Sequence, residues 1–270
     1  MARRALLDRL AATFARMHAE RTTRRFQGAL ATAVDAQDRL LRELVQLTEE
    51  TRFGRDHSFS QIRDYREFAD RVPIRSYEGL APYIDDVRQG NVAAIFQPGT
   101  PICMFALTSG TTAKPKYIPI TPRALQDCRA GWNIWGLKSL MDHPDCILRH
   151  IVQVTSPMDD HRSPAGIPCG AITGLLAATQ KRLVRRYYTS PLPIASIQDS
   201  TAKYYAIMRL AIPKDVSWLV TANPATLLAL ARTADSRRDR LIRDIHDGTL
   251  DGELPIERVV RSALKTQLKK

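Results

Sequence analysis

Apolar residues recur at helical spacing over the first fifty positions and gather into short runs after about position 93, and this change of rhythm organises the chain. Leu7, Leu10, Phe14 and Met17 share one face of a first predicted helix. Phe26, Leu30, Val34, Leu41, Leu44 and Thr48 share one face of a second. Both stripes are expected to pack on the domain; the alternative for the basic first helix is to lie on a membrane surface. Asp64 opens a short helix, and Ser76 is placed to cap another that Gly90 would end. From 93 onward the runs 93–96, 103–107, 117–120 and 147–155 have strand length. Between the last two, Thr121 and Pro122 form an N-cap and first-turn proline, followed by Leu125, Cys128, Trp132 and Trp135 on one face.

A Pro/Gly-rich passage from Pro157 to Gly174 comes next, long for a compact domain and hence a candidate functional loop. Beyond it the spacing predicts a helix over 172–180, a strand over 183–188, a helix over 197–210 and a strand over 216–221. Asn223 and Pro224 then start a helix carrying Leu227, Leu228 and Leu230, and a charged helix over 237–246 stops at Gly248. Strands alternating with helices predict an α/β fold: a helical segment over 1–90 packed on the main domain, then a mixed sheet flanked by helices over 91–270.

Composition narrows the partners. The chain has 270 residues and a formal net charge of +12, carried mainly by arginine, which favours anionic ligands. No nucleic-acid-binding module can be read in it, so nucleic acid is not an expected partner. No apolar stretch approaches the roughly 18 residues of a membrane span. Cys103, Cys128, Cys146 and Cys169 show no C-x-x-C spacing and read as buried thiols of a reducing compartment, with the cytoplasm as the expected location. Asp159-Asp160-His161 reads as a solvated loop, and no resident metal is expected.

The chemistry lies in Thr108-Ser109-Gly110-Thr111-Thr112-Ala113-Lys114-Pro115-Lys116, set between two apolar runs. Four hydroxyls, a glycine free to adopt positive φ and two lysines offer the donors and charge that a polyphosphate needs. A Walker loop would require a second glycine and a following helix, and a Rossmann turn would require G-x-G-x-x-G. Neither pattern is present. A Ser/Thr/Gly/Pro/Lys cluster is also the composition of a solvated hairpin loop, and the loop by itself leaves that alternative open.

The loop resembles the acyl-adenylate-forming signature [ST]-[ST]-G-T-[ST]-G-K-P-K, with Ala113 in place of its second glycine. The flanks Thr51-Arg52-Phe53-Gly54-Arg55-Asp56-His57, Arg71-Val72-Pro73-Ile74-Arg75-Ser76-Tyr77-Glu78, Lys116-Tyr117-Ile118-Pro119-Ile120-Thr121, Asn223-Pro224-Ala225-Thr226-Leu227-Leu228 and Asp247-Gly248-Thr249-Leu250 are similar to one branch. This is the auxin-responsive Gretchen Hagen family of acyl acid amido synthetases. The resemblance runs from about residue 40 almost to the end.

It implies part of the large domain of an adenylate-forming ligase, with ATP and Mg²⁺ as cofactors and a small carboxylic acid and an amine, such as an amino acid, as substrates. The acid would be activated as acyl-AMP and then conjugated. Thr108, Ser109, Gly110, Thr111, Thr112 and Lys116 would bind the phosphates, and the 157–174 loop would wall the acyl site. The family's adenine-binding segment, ribose-holding acid and small C-terminal domain find no match here. The chain is therefore expected to be an N-terminal half with impaired catalysis. The alternative is a non-catalytic remnant or partner-binding fragment, with a separate C-terminal half as its partner.

Overall fold

A computed structural model describes the backbone of residues 2–108 and 115–268, and within them the side chains from residue 12 onward. Helices α1 (Ala2–Leu30), α2 (Ala33–Thr48), α3 (Arg52–Asp56), α4 (Tyr65–Arg71) and α5 (Tyr77–Arg88) precede strands β1 (Met104–Leu107) and β2 (Tyr117–Ile120). Helix α6 (Pro122–Asp142) leads to β3 (His150–Gln153), β4 (His161–Arg162) and β5 (Pro168–Gly170). Then come α7 (Ile172–Ala178), α8 (Arg182–Arg185), α9 (Ser200–Ala211), β6 (Val216–Val220), α10 (Pro224–Ser236), α11 (Arg238–Asp247) and α12 (Arg258–Lys265). The fold is α/β with a mixed sheet, as the alternation predicts.

Contacts divide the chain into two units, one of residues 16–141 with 158–171, the other of residues 1–15 with 142–157 and 172–270. The first holds a sheet of order β2-β1-β5-β4, in which β1 runs antiparallel to β2 and parallel to β5. Phe105 and Cys169, neighbours across β1 and β5, are fully buried with Val87 of α5 and Ala94. The second unit contains the parallel pair β3 and β6, extended by a parallel bridge from Ile151 to Tyr188.

The Thr51-to-His57 segment is packing chemistry. Thr51 is buried and its hydroxyl caps α3, accepting the Gly54 N–H at 2.9 Å while donating to the Thr48 carbonyl at 2.6 Å. A Cβ on Gly54 would sit 2.1 Å from that same Thr48 oxygen, so only glycine fits where α3 turns back on α2. Phe53 stacks on His57 at 4.1 Å and meets Tyr83 of α5 edge-on at 5.1 Å. Arg75 can only donate, so the His57 Nε2 accepts from it at 2.9 Å and Nδ1–H donates to the Phe53 carbonyl at 2.7 Å. Burial and the hydrogen bond from its hydroxyl to Asp56 push the Tyr83 pKa up.

Several expectations are corrected. The run 93–96 is no strand: α5 ends in a Schellman turn, with Gly90 at φ 104° and the Asn91 N–H on the Asp86 carbonyl at 2.9 Å, and the chain passes into a 3-10 turn, Val92–Ala94. A four-residue apolar run carries no period long enough to tell these apart. The run 183–188 falls in and beyond α8, and only Tyr188 bridges to β3.

Ser76 precedes α5 but makes no capping bond to its backbone. Asp64, Thr121, Asp199 and Asn223 do cap the helices that follow them. Among the described side chains of the N-terminal stripes, Phe14 is 74% and Val34 78% exposed, while α1 buries Ala19 and Thr23, the Thr23 hydroxyl reaching the Met141 sulfur at 3.6 Å. Of the four thiols only Cys169 is buried, and burial pushes its pKa up.

In the second unit, Tyr205 and Ile207 of α9, Leu230 of α10, Leu241 of α11 and Leu264 of α12 form one core. Its rim is fastened by Asp244, itself buried. One carboxylate oxygen accepts from the Tyr205 hydroxyl at 2.6 Å and the Asp251 N–H at 2.8 Å, the other from the Thr249 hydroxyl at 2.7 Å. Burial and this carboxylate together push the Tyr205 pKa far above its ordinary value.

Two substitutions test these anchors. Gly54→Ala should lower unfolding free energy by about 2 kcal/mol or more through overpacking against backbone, read as a reduced urea midpoint with unchanged slope. Asp244→Asn keeps the size but turns an NH₂ toward donors, and should cost about 3 kcal/mol. A midpoint equal to wild type for either variant would show that its contact is not limiting.

Candidate functional site

The candidate loop is the tip of the β1–β2 hairpin. Met104 pairs with Ile120 and Leu107 with Tyr117, and the ladder runs one step further, the Thr108 N–H donating to the Lys116 carbonyl at 3.2 Å. Thr108 and Lys116, both exposed, thus face each other across the base of the loop. The structure brings these two sequence-predicted residues together. Ser109, Gly110, Thr111 and Thr112 lie outside the described residues.

What holds the base rigid is an aromatic and cationic frame that sequence reasoning did not assign to the site. The Tyr77 hydroxyl accepts the Tyr117 N–H at 2.8 Å, so the first turn of α5 fixes the residue next to Lys116. The Lys116 ammonium lies 5.5 Å from the Tyr77 ring centre, a cation–π distance. On Tyr117 itself, the Arg88 guanidinium stacks 3.8 Å from the ring centre, and the hydroxyl meets His161 Nε2 at 3.1 Å. Arg88 donates to Asp85 at 2.7 Å, and its carbonyl accepts the Ala165 N–H at 3.2 Å.

Tyr77 and Arg88 come from α5, Tyr117 from β2 and His161 from β4, all parts of the first unit. The available signal was the Ser76-Tyr77-Glu78 segment beside the loop residues in the family pattern. Nothing in the spacing could show that a tyrosine forty positions upstream would clamp the hairpin.

Glu78, fully exposed, has its carboxyl held below the ordinary value, first by a hydrogen bond from Ser76 and its own backbone, and least by the Lys116 charge. The nearby Asp159 is committed to an ion pair with Arg162. Among the described residues no group of three or more His, Cys, Asp or Glu is arranged to hold a metal. The site's described chemistry is therefore that of an exposed lysine and a threonine hydroxyl on a stiff two-stranded stem, suited to gripping an anion.

Comparison with known proteins gives the context. The model of the GH3 family N-terminal domain matches residues 22–270. An indole-3-acetic acid-amido synthetase of Arabidopsis thaliana, GH3.2, is 23% identical over 242 residues, which cover 87% of this chain and 43% of that protein. A jasmonoyl–L-amino acid synthetase of Nicotiana attenuata, JAR6, is 27% identical over 108 residues, 40% of this chain and 18% of that one. Among solved structures, the GH3.15 acyl acid amido synthetase superposes with a TM-score of 0.76 at 19% identity, over 92% of this chain and 44% of its own. The chain spans less than half the length of each of these relatives.

A proton titration by NMR tests the electrostatics of the hairpin base. Glu78 titrates below an ordinary glutamate, so its contribution to the folded state is present at neutral pH and lost as pH falls through that lowered value. Ser76→Ala should raise its midpoint more than Lys116→Ala does. The reverse order would mean that the lysine, not the serine, governs the carboxylate.

Proposed function

The chain belongs to the GH3 family, its N-terminal domain accounting for residues 22–270, and on that premise we propose that it is the phosphate-gripping portion of an ATP-dependent ligase that activates a carboxylic acid and joins it to an amine. The observation that carries the reading is the hairpin base, where Lys116 and Thr108 stand opposite each other on a stem clamped by Tyr77. An exposed ammonium and a hydroxyl at one point fit a phosphate oxygen, and the neighbouring Ser109, Gly110, Thr111 and Thr112 would complete the grip.

ATP supplies the energy of activation; the chain's own residues bind and orient it. Lys116 offsets charge on the phosphates, Thr108 donates a hydrogen bond, and the ladder bond between them fixes their spacing. Phosphate-group chemistry of this kind is dominated by positioning and charge stabilisation, so no side chain here need act as a nucleophile. Mg²⁺ would accompany the nucleotide, held mainly by phosphate oxygens and water, as that ion usually is.

The acid and the amine are small-molecule substrates in this reading. The compartment is the cytoplasm, supported by four free cysteines; among the described residues no helix is long and apolar enough to cross a membrane. We further propose that these 270 residues alone bind the nucleotide weakly and turn it over poorly. They span less than half of each relative's length, and adenine and ribose need fixing as firmly as the phosphates do.

Isothermal titration with ATP·Mg²⁺ tests the grip. Lys116→Ala should weaken binding about tenfold, the worth of one charge-assisted hydrogen bond. Identical titrations for wild type and variant would remove the loop from the mechanism. Carboxylate-dependent exchange of pyrophosphate into ATP should be undetectable with the 270-residue chain. A clear exchange rate would show that these residues suffice for activation.

A further inference from the structure

The second unit contains a cavity of about 500 Å³ that draws no residue from the hairpin of the first. Its size lies within the range of small-molecule sites, about 300–1,000 Å³. Gln153 at the end of β3, Thr155, the segments on either side of the Tyr188 bridge and Lys214 from the turn before β6 line it.

Three features of the lining point the same way. It carries four cations, Arg182, Arg185, Arg186 and Lys214, and not one aspartate or glutamate. In a chain with 28 acidic residues, a cationic wall left without a carboxylate is an uncompensated positive field. Next, the Thr189 side chain is 1% exposed, and its hydroxyl, like that of Ser190, has no hydrogen-bond partner among the described residues.

An unpaired buried hydroxyl costs on the order of 1–3 kcal/mol, and here two belong to consecutive residues of the cavity lining. The Lys214 ammonium has only a long contact, 3.5 Å, to the Thr189 carbonyl, and burial pulls its pKa below the ordinary lysine value. The lining also includes Ala177, Pro191, Leu192 and Pro193, apolar surface that an inorganic ion would leave unused.

We propose that this cavity binds a small organic anion, its carboxylate or phosphate head held by Lys214, Thr189 and Ser190 and its apolar body against the Pro191–Pro193 wall. The site goes beyond the nucleotide reading and stands whether or not the hairpin grips ATP.

Titration of the 270-residue chain with benzoate, phenyl phosphate, benzyl alcohol and inorganic phosphate, followed by NMR, tests it. Saturable binding of benzoate or phenyl phosphate is expected, and whichever binds more tightly identifies the head. Benzyl alcohol, which lacks the charge, should bind at least about tenfold more weakly, and Lys214→Met should weaken the anion by a similar factor.

Thr189→Val separates binding from folding. Removing an unpaired hydroxyl should leave the melting temperature equal or higher while anion affinity falls severalfold. If Lys214→Met fails to fold, Arg182→Gln at the exposed rim puts the same question. Saturation by neither organic anion, equal affinity for benzyl alcohol, inorganic phosphate matching phenyl phosphate, or unchanged affinity in the variants would each overturn the proposal.

Discussion

The second unit is organised by one buried carboxylate. Asp244 receives three donors from two stretches of chain, the Tyr205 hydroxyl of α9 and, from the segment after α11, the Thr249 hydroxyl and the Asp251 backbone, and so locks that segment onto α9. That lock also sets the Thr249 carbonyl, which accepts from Nε of Arg209, a side chain only 1% exposed. A guanidinium so deeply placed needs compensation, and Asp244 supplies it: burial pulls the Arg209 pKa down while the carboxylate opposes the fall. Remove the carboxylate and a phenol and a turn lose their partner together, while a buried cation loses the opposite charge near it. The apolar core of α9 to α12 supplies the bulk of the adhesion, and the polar hub ties the segment after α11 to α9.

The consequences reach the cavity. The 3-10 turn Leu192–Ser196, which follows directly on Thr189 and Ser190, rests against α7, α9 and α12, and its Ile194 is buried in the same core. Wall and hub are thus parts of one packed body, and the cavity's shape is inherited from the packing of α9 and α12. A pocket with unpaired hydroxyls persists because the surrounding core over-determines it, much as strained geometry does at functional sites.

The sequence was most legible where a local rule decides the structure. Asn223-Pro224 opens α10 because the amide side chain accepts a backbone N–H at 2.9 Å, and Gly248 stops α11 in the left-handed region at φ 72°. The β1–β2 hairpin could be read from two apolar runs around a polar loop. What could not be read were relations between distant segments. The run 183–188 looks like a strand, yet Arg185 and Arg186 within it, with Arg182 just before it, line the cavity, and only Tyr188 joins the sheet. The stripe of Phe14 and Met17 obeys helical spacing and still faces solvent, since α1 is buried through Ala19 and Thr23. Periodicity names a face but not what meets it. Tyr77 and Arg88 at the hairpin base, and Thr189 and Lys214 at the cavity, escaped for the same reason.

Charge divides the two candidate sites from the rest of the surface. Several arginines are answered by carboxylates: Arg149 by Asp215, Arg240 by Asp251 and Glu253, Arg52 by Asp86. Such pairs are worth little individually at exposed positions, but they cancel the field locally. Along the cavity wall Arg182, Arg185, Arg186 and Lys214 share the lining with no carboxylate, so the positive charge is not cancelled there. The hairpin lysine is exposed and screened by water and salt, so by itself it can contribute only a weak hold on a polyphosphate. The cavity cations act beside an apolar wall and a desolvated lysine, where the same charge counts for more.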